Sequence, residues 1–287
     1  MKSYKEKANA KINIGLNILE KLESGYHSLD MIMAPIDLYD DLEINFNEKK
    51  GNLKIFCNKN DVPTNENNII YKIYKKFYEY TSLQQEDIEV KLIKKIPSEA
   101  GLGGGSSDGA TFLKVLNKYH NNILSTNEMI NITKNIGADI PFFIINKTTR
   151  VKGIGEKLEI IENNLDTDII LIKPNFGIST KEAYINYTNL KNKSNANIEK
   201  IIKGLKENDV NLVRENINNH LQQSAKLFKN ELKKFEKELY ELTKIKFYMT
   251  GSGSCYYSFV EKQISKEVIN LLKNKYGTYF ISLTRFY

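Results

Sequence analysis

The chain has 287 residues, of which 41% are hydrophobic and 27% charged, a composition typical of a soluble globular protein with room for two domains. Two cysteines and three histidines argue against a disulfide framework or a structural zinc site, so we expect a reducing, cytoplasmic location. No run approaches the ~18 apolar residues of a membrane helix, and we expect neither a membrane span nor a secretion signal. The net charge of +7 fits nucleic acid, a membrane surface or an anionic small substrate, but lysines interleaved with glutamates also favour solvated helix faces.

An alternating segment comes first along the chain. Residues 8–18 carry apolar side chains at every second position, which predicts a strand. Lys11 and Asn13 lie on its polar face, where a lysine can reach a phosphate; the alternative is a solvated lysine on an edge strand. Tyr26 and His27 follow a glycine turn, an arrangement typical of residues that contact a base or of residues that pack under the turn.

The order strand, glycine-rich loop, helix follows. Residues 88–92 alternate as a strand, and residues 110–116 have apolar side chains at helical spacing. The loop between them contains Gly101, Leu102, Gly103, Gly104, Gly105, Ser106 and Ser107. Its glycines allow successive N–H groups to converge on a phosphate beside a helix N-terminus. The two serines can cap that helix, and their hydroxyls can also contact phosphate or magnesium. The loop matches neither a Walker A nor a Rossmann motif, and a flexible turn is the alternative.

Two helices and a carboxylate complete the first half. Apolar residues at helical spacing predict a helix over residues 68–80. A second helix is predicted to start at Ser125, with Glu128 completing a capping box and Gly137 ending the helix. Asp139 follows among apolar residues and is a candidate general base, or else an ordinary helix N-cap.

The second half reads as a separate set of strands and helices. It is predicted to contain a buried strand at 169–172, a mobile polar loop at 191–197, helices within 198–242, and then strands at 246–249, 256–260 and 279–283 with a helix at 265–275. The turn at residues 250–254 needs no function as a hairpin turn. These elements indicate an α+β chain with two domains, residues 1–163 and 164–287.

The motifs, taken in order, resemble the GHMP kinase superfamily. They are Ala10–Asn13, Gly25–His27, Pro97 with Gly101–Ser107, Gly137–Phe143 and Thr250–Gly253. The Gly-Tyr-His turn, the segment 31–41 and the Gly-Ala-Asp-Ile-Pro-Phe-Phe segment are similar in particular to the 4-diphosphocytidyl-2-C-methyl-D-erythritol kinase family. The resemblance covers nearly the whole chain. It implies a ribosomal-S5-domain-2-like N-terminal half and a ferredoxin-like C-terminal half.

The resemblance also implies a reaction and roles for residues. That family transfers the γ-phosphoryl group of ATP, with Mg²⁺, to the 2-hydroxyl of a cytidine diphosphate conjugate. Asp139 would accept or orient the hydroxyl proton, and Lys11 would hold Asp139 and stabilise the transferred charge. ATP-binding positions are Pro97, Gly101, Leu102, Gly103, Gly104, Gly105, Ser106, Ser107, Lys94 and Asn68. Substrate-binding positions are Asn13, Tyr26, His27, Thr180 and Tyr184. No acidic metal ligand follows from the motifs.

The sequence departs from the family pattern at some positions, and there are alternatives to this particular kinase. Ser24 stands where the family usually has Asp, and Gly109 stands where it usually has Ala, at a cost of up to ~1 kcal/mol in helix propensity. One alternative is another kinase of the superfamily, acting on mevalonate or homoserine; another is a relative without catalytic activity. An RNA-binding protein would group lysines and aromatic residues on one face, a pattern that the sequence lacks. We therefore expect neither a nucleic acid nor a membrane partner and leave the oligomeric state open.

Overall fold

The computed structural model describes residues 2–23, Gly25 and residues 27–287. The chain forms two compact units: Met1–Ala10, Leu38–Ile96 and Gly103–Lys147 make up the first, and Lys11–Asp37, Pro97–Leu102 and Thr148–Tyr287 the second. The units alternate along the chain, whereas the predicted domains, residues 1–163 and 164–287, are continuous. That domain boundary stays a prediction.

Two long strands contribute residues to both units. Strand β1 (Lys2–Lys21) contains the predicted strand at 8–18 and pairs with β2 (His27–Lys50). All residues from Ala8 to Ile18 are buried, the polar ones included. The solvated face, which was the alternative reading for Lys11, is therefore absent from this stretch.

The rest of the first unit consists of two strands and four helices: β3 (Leu53–Cys57), α1 (Ile69–Thr81), β4 (Glu86–Ile93), α2 (Gly104–Tyr119), α3 (Thr126–Thr133) and α4 (Ile140–Ile145). Residues 41–47 of β2 pair with β4 in antiparallel fashion, and β3 pairs with β4 in parallel. The alternating Ile88, Val90 and Leu92 of β4 are buried. Helix α1 buries Ile70, Ile73, Tyr74, Phe77 and Tyr78, the spacing of one helical face.

The helix ends agree with the sequence in part. At α3 the capping box is confirmed: the Ser125 N–H donates to Glu128 Oε2 over 2.8 Å, and the Glu128 N–H donates to Ser125 Oγ over 3.3 Å. The prediction that Gly137 ends this helix is wrong, because α3 ends at Thr133. The suggestion that Ser106 and Ser107 cap the helix after the glycine loop, α2, is also wrong. Helix α2 already begins inside the glycine loop, and Gly103, with φ of 73°, is its N-cap residue.

The second unit contains a small antiparallel pairing and a four-stranded sheet. Residues 29–33 of β2 pair with β5 (Thr149–Gly153), which pairs with β6 (Lys157–Ile160). The antiparallel four-stranded sheet consists of β7 (Asp168–Lys173), β8 (Tyr248–Met249), β9 (Tyr256–Val260) and β10 (Phe280–Thr284), in the order β10-β7-β9-β8.

Six helices accompany these strands. They are α5 (Thr180–Tyr187), α6 (Ile198–Glu207), α7 (Val210–Asn216), α8 (His220–Phe228), α9 (Asn230–Thr243) and α10 (Ser265–Lys275). The predicted helical stretch 198–242 is thus four helices. Asp209 and Asn219 start α7 and α8 by accepting N–H groups with their side chains, and α9 starts after Lys229 without a side-chain cap. Across the described residues the fold is a mixture of helices and largely antiparallel strands, as predicted for an α+β chain. None of the helices in this part of the chain has the length and apolar character needed to cross a membrane.

Gly109 lies where α2 approaches α1 most tightly. A Cβ atom added there would lie 2.5 Å from Cγ2 of Ile69 and 2.8 Å from Cδ1 of Ile73. These distances are far below van der Waals contact, so an alanine would force the two helices apart or move both isoleucines. Gly109 therefore offsets its lower helix propensity by allowing this close packing.

We predict that Gly109→Ala destabilises the protein. Overpacking costs about 1–3 kcal/mol, which exceeds the gain in helix propensity of up to ~1 kcal/mol. Chemical denaturation measures the change. Gly105→Ala is the matched control in the same helix, because its Cβ would lie at an ordinary 3.5 Å from Ile69 Cδ1. A Gly109→Ala variant more stable than the wild type would contradict the packing argument.

Candidate active site

The start of α2 is built to receive an anion. Its first N–H groups, at residues 104–106, precede any helical carbonyl that could accept from them, and the helix dipole places partial positive charge there. No acidic side chain lies in this first turn. Gly101 and Gly103 both have positive φ, at 70° and 73°, so the chain reaches the helix through conformations that favour glycine. The arrangement fits a phosphate group.

Ser106 and Ser107 differ in what they can contact. Ser107 is buried, and its N–H donates to Gly103 O over 2.9 Å. Ser106 is half-buried, and a Cβ atom on Gly137 would lie 3.4 Å from its hydroxyl. The turn that leads to Asp139 therefore borders the start of α2 through Ser106. Of the two serine hydroxyls, that of Ser106 is the one accessible to a ligand.

Asp139 occupies the N-cap position of α4 but does not cap it with its side chain. Its backbone is helical, with φ of −88° and ψ of −8°, and its carboxylate accepts no N–H of the helix. The side chain is half-buried. The alternative to a general base was an ordinary helix N-cap. Asp139 holds that position with its backbone, and its side chain does not cap the helix. The carboxylate remains suited to receive a proton from a ligand.

Lys94 lies beneath the start of α2 in a buried cluster of charges. Its ammonium group contacts Asp40 and lies 2.7 Å from Oδ2 of Asp108, and all three side chains are at most 8% exposed. Asp40 also accepts the N–H groups of Lys95 and Ile96, over 2.5 and 2.8 Å. A Cβ atom on Gly104 would lie 3.1 Å from the Lys94 ammonium. Lys94 therefore joins β2 and β4 to the start of α2.

The cluster is electrostatically unbalanced. Burial by itself would lower the pKa of Lys94, but the two carboxylates outweigh that effect and raise it. Burial, with the negative charge of Asp40, raises the pKa of Asp108 to about 7 even though Lys94 opposes the shift. Oδ1 of Asp108 is buried and makes no hydrogen bond. One cation thus serves two buried carboxylates, and Lys94 is held by both.

Asn68 is also committed to the fold. Its Oδ1 accepts the Ile70 N–H over 2.9 Å and caps α1, while its Nδ2 donates to Pro63 O over 2.6 Å. For Asn68 and Lys94, the structure therefore shows side chains held by the protein itself. Any nucleotide contact at these positions would involve the backbone or the aliphatic part of Lys94.

Lys11 and Asn13 form the polar centre of the second unit. Both are only 3% exposed, so Lys11 is not the solvated edge-strand lysine that the sequence left open. The Lys11 ammonium donates to Asn13 Oδ1 over 2.6 Å, and Asn13 Nδ2 contacts the Met31 sulfur at 3.2 Å. The Asn13 carbonyl accepts from the hydroxyl of Tyr257 over 2.9 Å. The lysine is thereby fixed in one orientation.

The turn at residues 250–254, which the sequence analysis left without a function, holds this centre. The Thr250 hydroxyl accepts the Asn13 N–H over 3.1 Å and donates to Gly101 O over 3.2 Å. The Lys11 N–H donates to Leu102 O over 3.0 Å. A Cβ atom on Gly251 would lie 3.3 Å from both the Lys11 ammonium and Asn13 Oδ1. In the sequence, the Gly-Ser-Gly composition marked this segment as a turn. Its role in holding Lys11 and Asn13 follows from the contacts.

The predicted base-reading residues lie together as far as the structure describes them. The rings of His27 and Tyr184 stack with centroids 5.7 Å apart at 21°. Burial, with the positive charges of Lys21 and Lys193, lowers the pKa of His27, so its imidazole is neutral at pH 7 and can both donate and accept hydrogen bonds. Tyr26 lies outside the described residues. The aromatic surface is therefore present with a hydrogen-bonding ring at its edge.

Thr180 lies in a groove of about 510 Å³ near the beginning of the glycine loop. The groove is lined by Glu99, Gly101, Gly177, Ile178, Ser179, Thr180, Ser252 and Gly253. The hydroxyls of Thr180 and Ser252 are 2.7 Å apart. These groups suit a polyol or other hydroxyl-rich ligand. Pro97, half-buried, begins the segment that leads to this groove.

The side chains offer little to a resident metal ion. Among the residues that the structure describes, no group of three His, Cys, Asp or Glu side chains is placed to hold one. Mg²⁺ at a nucleotide site is usually bound by one or two protein oxygens, substrate phosphates and water. The accessible Ser106 hydroxyl at the start of α2 fits that minimal requirement.

We predict that Lys94→Met destabilises the protein by about 3–5 kcal/mol at pH 8, because it leaves two buried carboxylates without their cation. The loss is expected to shrink at pH 5. The pKa of Asp108 is already raised to about 7 and rises further without the opposing charge of Lys94, so the folded state takes up a proton as the pH falls and the penalty is relieved. Denaturation at both pH values measures this.

Lys95→Met is the matched control. Lys95 is the next residue and pairs with Asp41 over 2.5 Å, but both side chains are exposed, so its loss is expected to cost below ~1 kcal/mol. Equal effects of the two substitutions, or a Lys94→Met penalty that grows towards acid pH, would contradict the role given to the buried cluster.

Comparisons with known proteins place this geometry in a family. The GHMP kinases N terminal domain matches residues 68–147, and the GHMP kinases C terminal domain matches residues 201–278. A 4-diphosphocytidyl-2-C-methyl-D-erythritol kinase of Fusobacterium nucleatum subsp. nucleatum is 46% identical over 95% of this chain and 94% of its own length. A protein of the same name from Clostridium beijerinckii is 38% identical over 98% of this chain and 99% of its own.

Solved structures agree in fold. The crystal structure of a 4-(cytidine 5'-diphospho)-2C-methyl-D-erythritol kinase superposes with a TM-score of 0.80 at 24% identity, covering 98% of this chain and 99% of that one. A homoserine kinase from Cytophaga hutchinsonii superposes with a TM-score of 0.76 at 15% identity, covering 99% and 94%. At these identities the structures support the fold, and the sequence relatives decide the family. The chain belongs to the GHMP kinases and, within them, to the 4-diphosphocytidyl-2-C-methyl-D-erythritol kinase family.

Proposed function

We propose that the protein transfers the γ-phosphoryl group of ATP to the 2-hydroxyl of 4-diphosphocytidyl-2-C-methyl-D-erythritol, a step of non-mevalonate isoprenoid synthesis. The relatives at 46% and 38% identity bear that name. The structural observation that carries the proposal is Lys11, a buried ammonium fixed 2.6 Å from Asn13 Oδ1. Burying a cation costs free energy of desolvation. A role in stabilising charge during phosphoryl transfer accounts for a buried lysine at this position.

The glycine loop and the start of α2 would bind the phosphates of ATP. Phosphoryl transfer depends mainly on positioning and on neutralising charge spread over the phosphate oxygens. The N–H groups at residues 104–106 and the helix dipole supply donors and positive potential without a mobile side chain. Ser106 is the protein hydroxyl that we assign to Mg²⁺, which would neutralise negative charge on the phosphates when bound with the nucleotide.

Asp139 and Lys11 would act on the acceptor hydroxyl. In this proposal the Asp139 carboxylate accepts a hydrogen bond from the 2-hydroxyl, orients the oxygen and takes its proton as the bond to phosphorus forms. The Lys11 ammonium stabilises negative charge on the transferring group. Because Asn13 already fixes Lys11, little reorganisation is needed when the substrate arrives.

The cytidyl group would be read by the stacked rings. Tyr184 offers a flat surface to one face of the pyrimidine, and Tyr26 is proposed to lie on the other face of the pyrimidine. Stacking alone does not distinguish cytosine from uracil, so His27 is proposed to hydrogen-bond the base edge. Asn13 and Thr180 would contact the polar groups of the substrate. The groove at Thr180 and Ser252 supports this assignment for the methylerythritol part.

The finer features of the fold belong to the same proposal. We assign a ribosomal-S5-domain-2-like N-terminal half and a ferredoxin-like C-terminal half, divided near residues 163 and 164. The order of the four-stranded sheet supports the second name: with its strands numbered along the chain, the order is 4-1-3-2. Both cysteines, Cys57 and Cys255, are free thiols, which agrees with a reducing cytoplasm.

A coupled assay of ADP release tests the function. The purified protein is expected to consume ATP with the diphosphocytidyl substrate in the presence of Mg²⁺ and to leave mevalonate and homoserine unchanged. Nuclear magnetic resonance of the product would place the phosphate on the 2-hydroxyl. Turnover of mevalonate or homoserine alone would reject the assignment in favour of another kinase of the superfamily.

We predict that Asp139→Asn lowers kcat by about 10²–10⁴-fold, the usual contribution of a general base. Because asparagine has nearly the same shape and size as aspartate, the fold should be retained, which the melting temperature checks. The KM for ATP should also be preserved. Asp166→Asn is the control: Asp166 is an exposed carboxylate paired with Lys262 and should retain wild-type turnover. Near-normal turnover of Asp139→Asn would remove Asp139 from the catalytic step.

A further inference from the structure

At one residue of β1, Ile18, the backbone N–H and carbonyl make hydrogen bonds to side chains. This residue lies beside the rings that are proposed to bind the base, those of His27 and Tyr184. The Leu16 N–H donates to Asn218 O over 2.9 Å, as in a sheet. Ile18 lies two residues further along β1. The segment that pairs with β1 enters α8 there, at His220, so the next hydrogen bond of the Ile18 N–H is not to a backbone carbonyl. The Ile18 N–H donates instead to Nδ1 of His220 over 2.9 Å, and the Ile18 carbonyl accepts from the Tyr187 hydroxyl over 2.6 Å.

These contacts define the state of His220. Because Nδ1 accepts a hydrogen bond, the proton lies on Nε2, which is 2.9 Å from Oδ1 of Asn195 and donates to it. The ring is 2% exposed, and its burial lowers the pKa of His220. Its two hydrogen bonds and its burial fix a neutral imidazole in one orientation.

The fixed ring of His220 is the first of four rings in contact. His220 stacks on Tyr187 with centroids 5.3 Å apart at 26°. Tyr187 meets His27 edge to face, at 6.0 Å and 84°. His27 in turn stacks on Tyr184 at 5.7 Å and 21°. The outer two rings, His27 and Tyr184, are half-buried, whereas the inner two, Tyr187 and His220, are at most 4% exposed.

We propose that His220 is a positioning residue for recognition of the substrate's pyrimidine, acting through Tyr187 to set the orientation of His27 and Tyr184. The inference rests on the proposed function, since it assumes that these two rings bind the cytidyl group. Rings already held in place lose less conformational freedom when a base binds, which strengthens binding without a new contact. His220 contacts neither substrate nor ATP in this scheme.

Two substitutions separate the ring from the hydrogen bond. His220→Asn keeps an acceptor for the Ile18 N–H through its Oδ1 and so preserves the anchor of β1, but it removes the ring from Tyr187. His220→Ala removes both. We expect each variant to raise the KM for the cytidyl substrate by about tenfold or more, with the KM for ATP and kcat close to wild type. His220→Ala is expected to be the less stable of the two.

His120→Ala is the matched control. His120 also stacks on an aromatic ring, that of Phe77 at 5.4 Å and 30°, but it belongs to the first unit and to no proposed site. It should leave the KM for the cytidyl substrate unchanged. Wild-type KM values in His220→Asn would overturn the inference, as would equal increases in the KM for ATP and for the substrate, or the same increase in His120→Ala.

Calorimetry with cytidine 5'-diphosphate separates this inference from the proposed function. Weaker binding of this probe to His220→Asn than to the wild type supports the positioning role even if the wild-type protein fails to phosphorylate the full substrate. Conversely, a wild type that turns over the substrate and a His220→Asn variant with unchanged affinity for the probe would retain the function and reject the positioning role.

Discussion

The hydroxyl of Thr250 is the contact on which the polar centre of the second unit depends. It accepts the N–H of Asn13 and donates to the carbonyl of Gly101, two segments that lie far apart in sequence. A hydroxyl is suited to this because it donates and accepts at once. Gly251 then follows so closely that a Cβ atom there would lie 3.3 Å from the Lys11 ammonium. The orientation of Lys11 thus derives from a short turn near the C-terminus.

Buried polar groups recur around the site, and two of them are held by several partners. Lys94 is shared between two carboxylates, and Asn219 donates to Met249 O and Gly251 O while its Oδ1 caps α8. Such networks cost desolvation, and they are stable only when their members are satisfied together. They also restrict each side chain to one geometry, which is what transfer between two anionic ligands requires.

The sequence predicted the elements better than the contacts. Hydrophobic periodicity located α1, β4 and the strands of the C-terminal sheet, and the capping box at Ser125 was identified by residue type alone. Periodicity cannot show that both faces of a strand are buried, so Lys11 was left as either a surface lysine or a functional one. Nor can it show a helix that starts on glycines, which is why Ser106 and Ser107 were assigned to the cap. The roles of Thr250, Asp40 and Asp108 arise from contacts between distant segments, for which one sequence contains no signal.

The alternation of the two units along the chain has a consequence for synthesis on the ribosome. All residues of the first unit have been made once residue 147 is added, whereas the second unit begins with Lys11–Asp37 and needs the chain to its end. Domains generally fold as their residues emerge. Lys11 and Asn13 are therefore among the first residues made, yet the hydroxyl that fixes them, at Thr250, is translated more than two hundred residues later. Until then an early strand rich in buried isoleucines lacks its final partners, which leaves an apolar segment of the nascent chain exposed to aggregation.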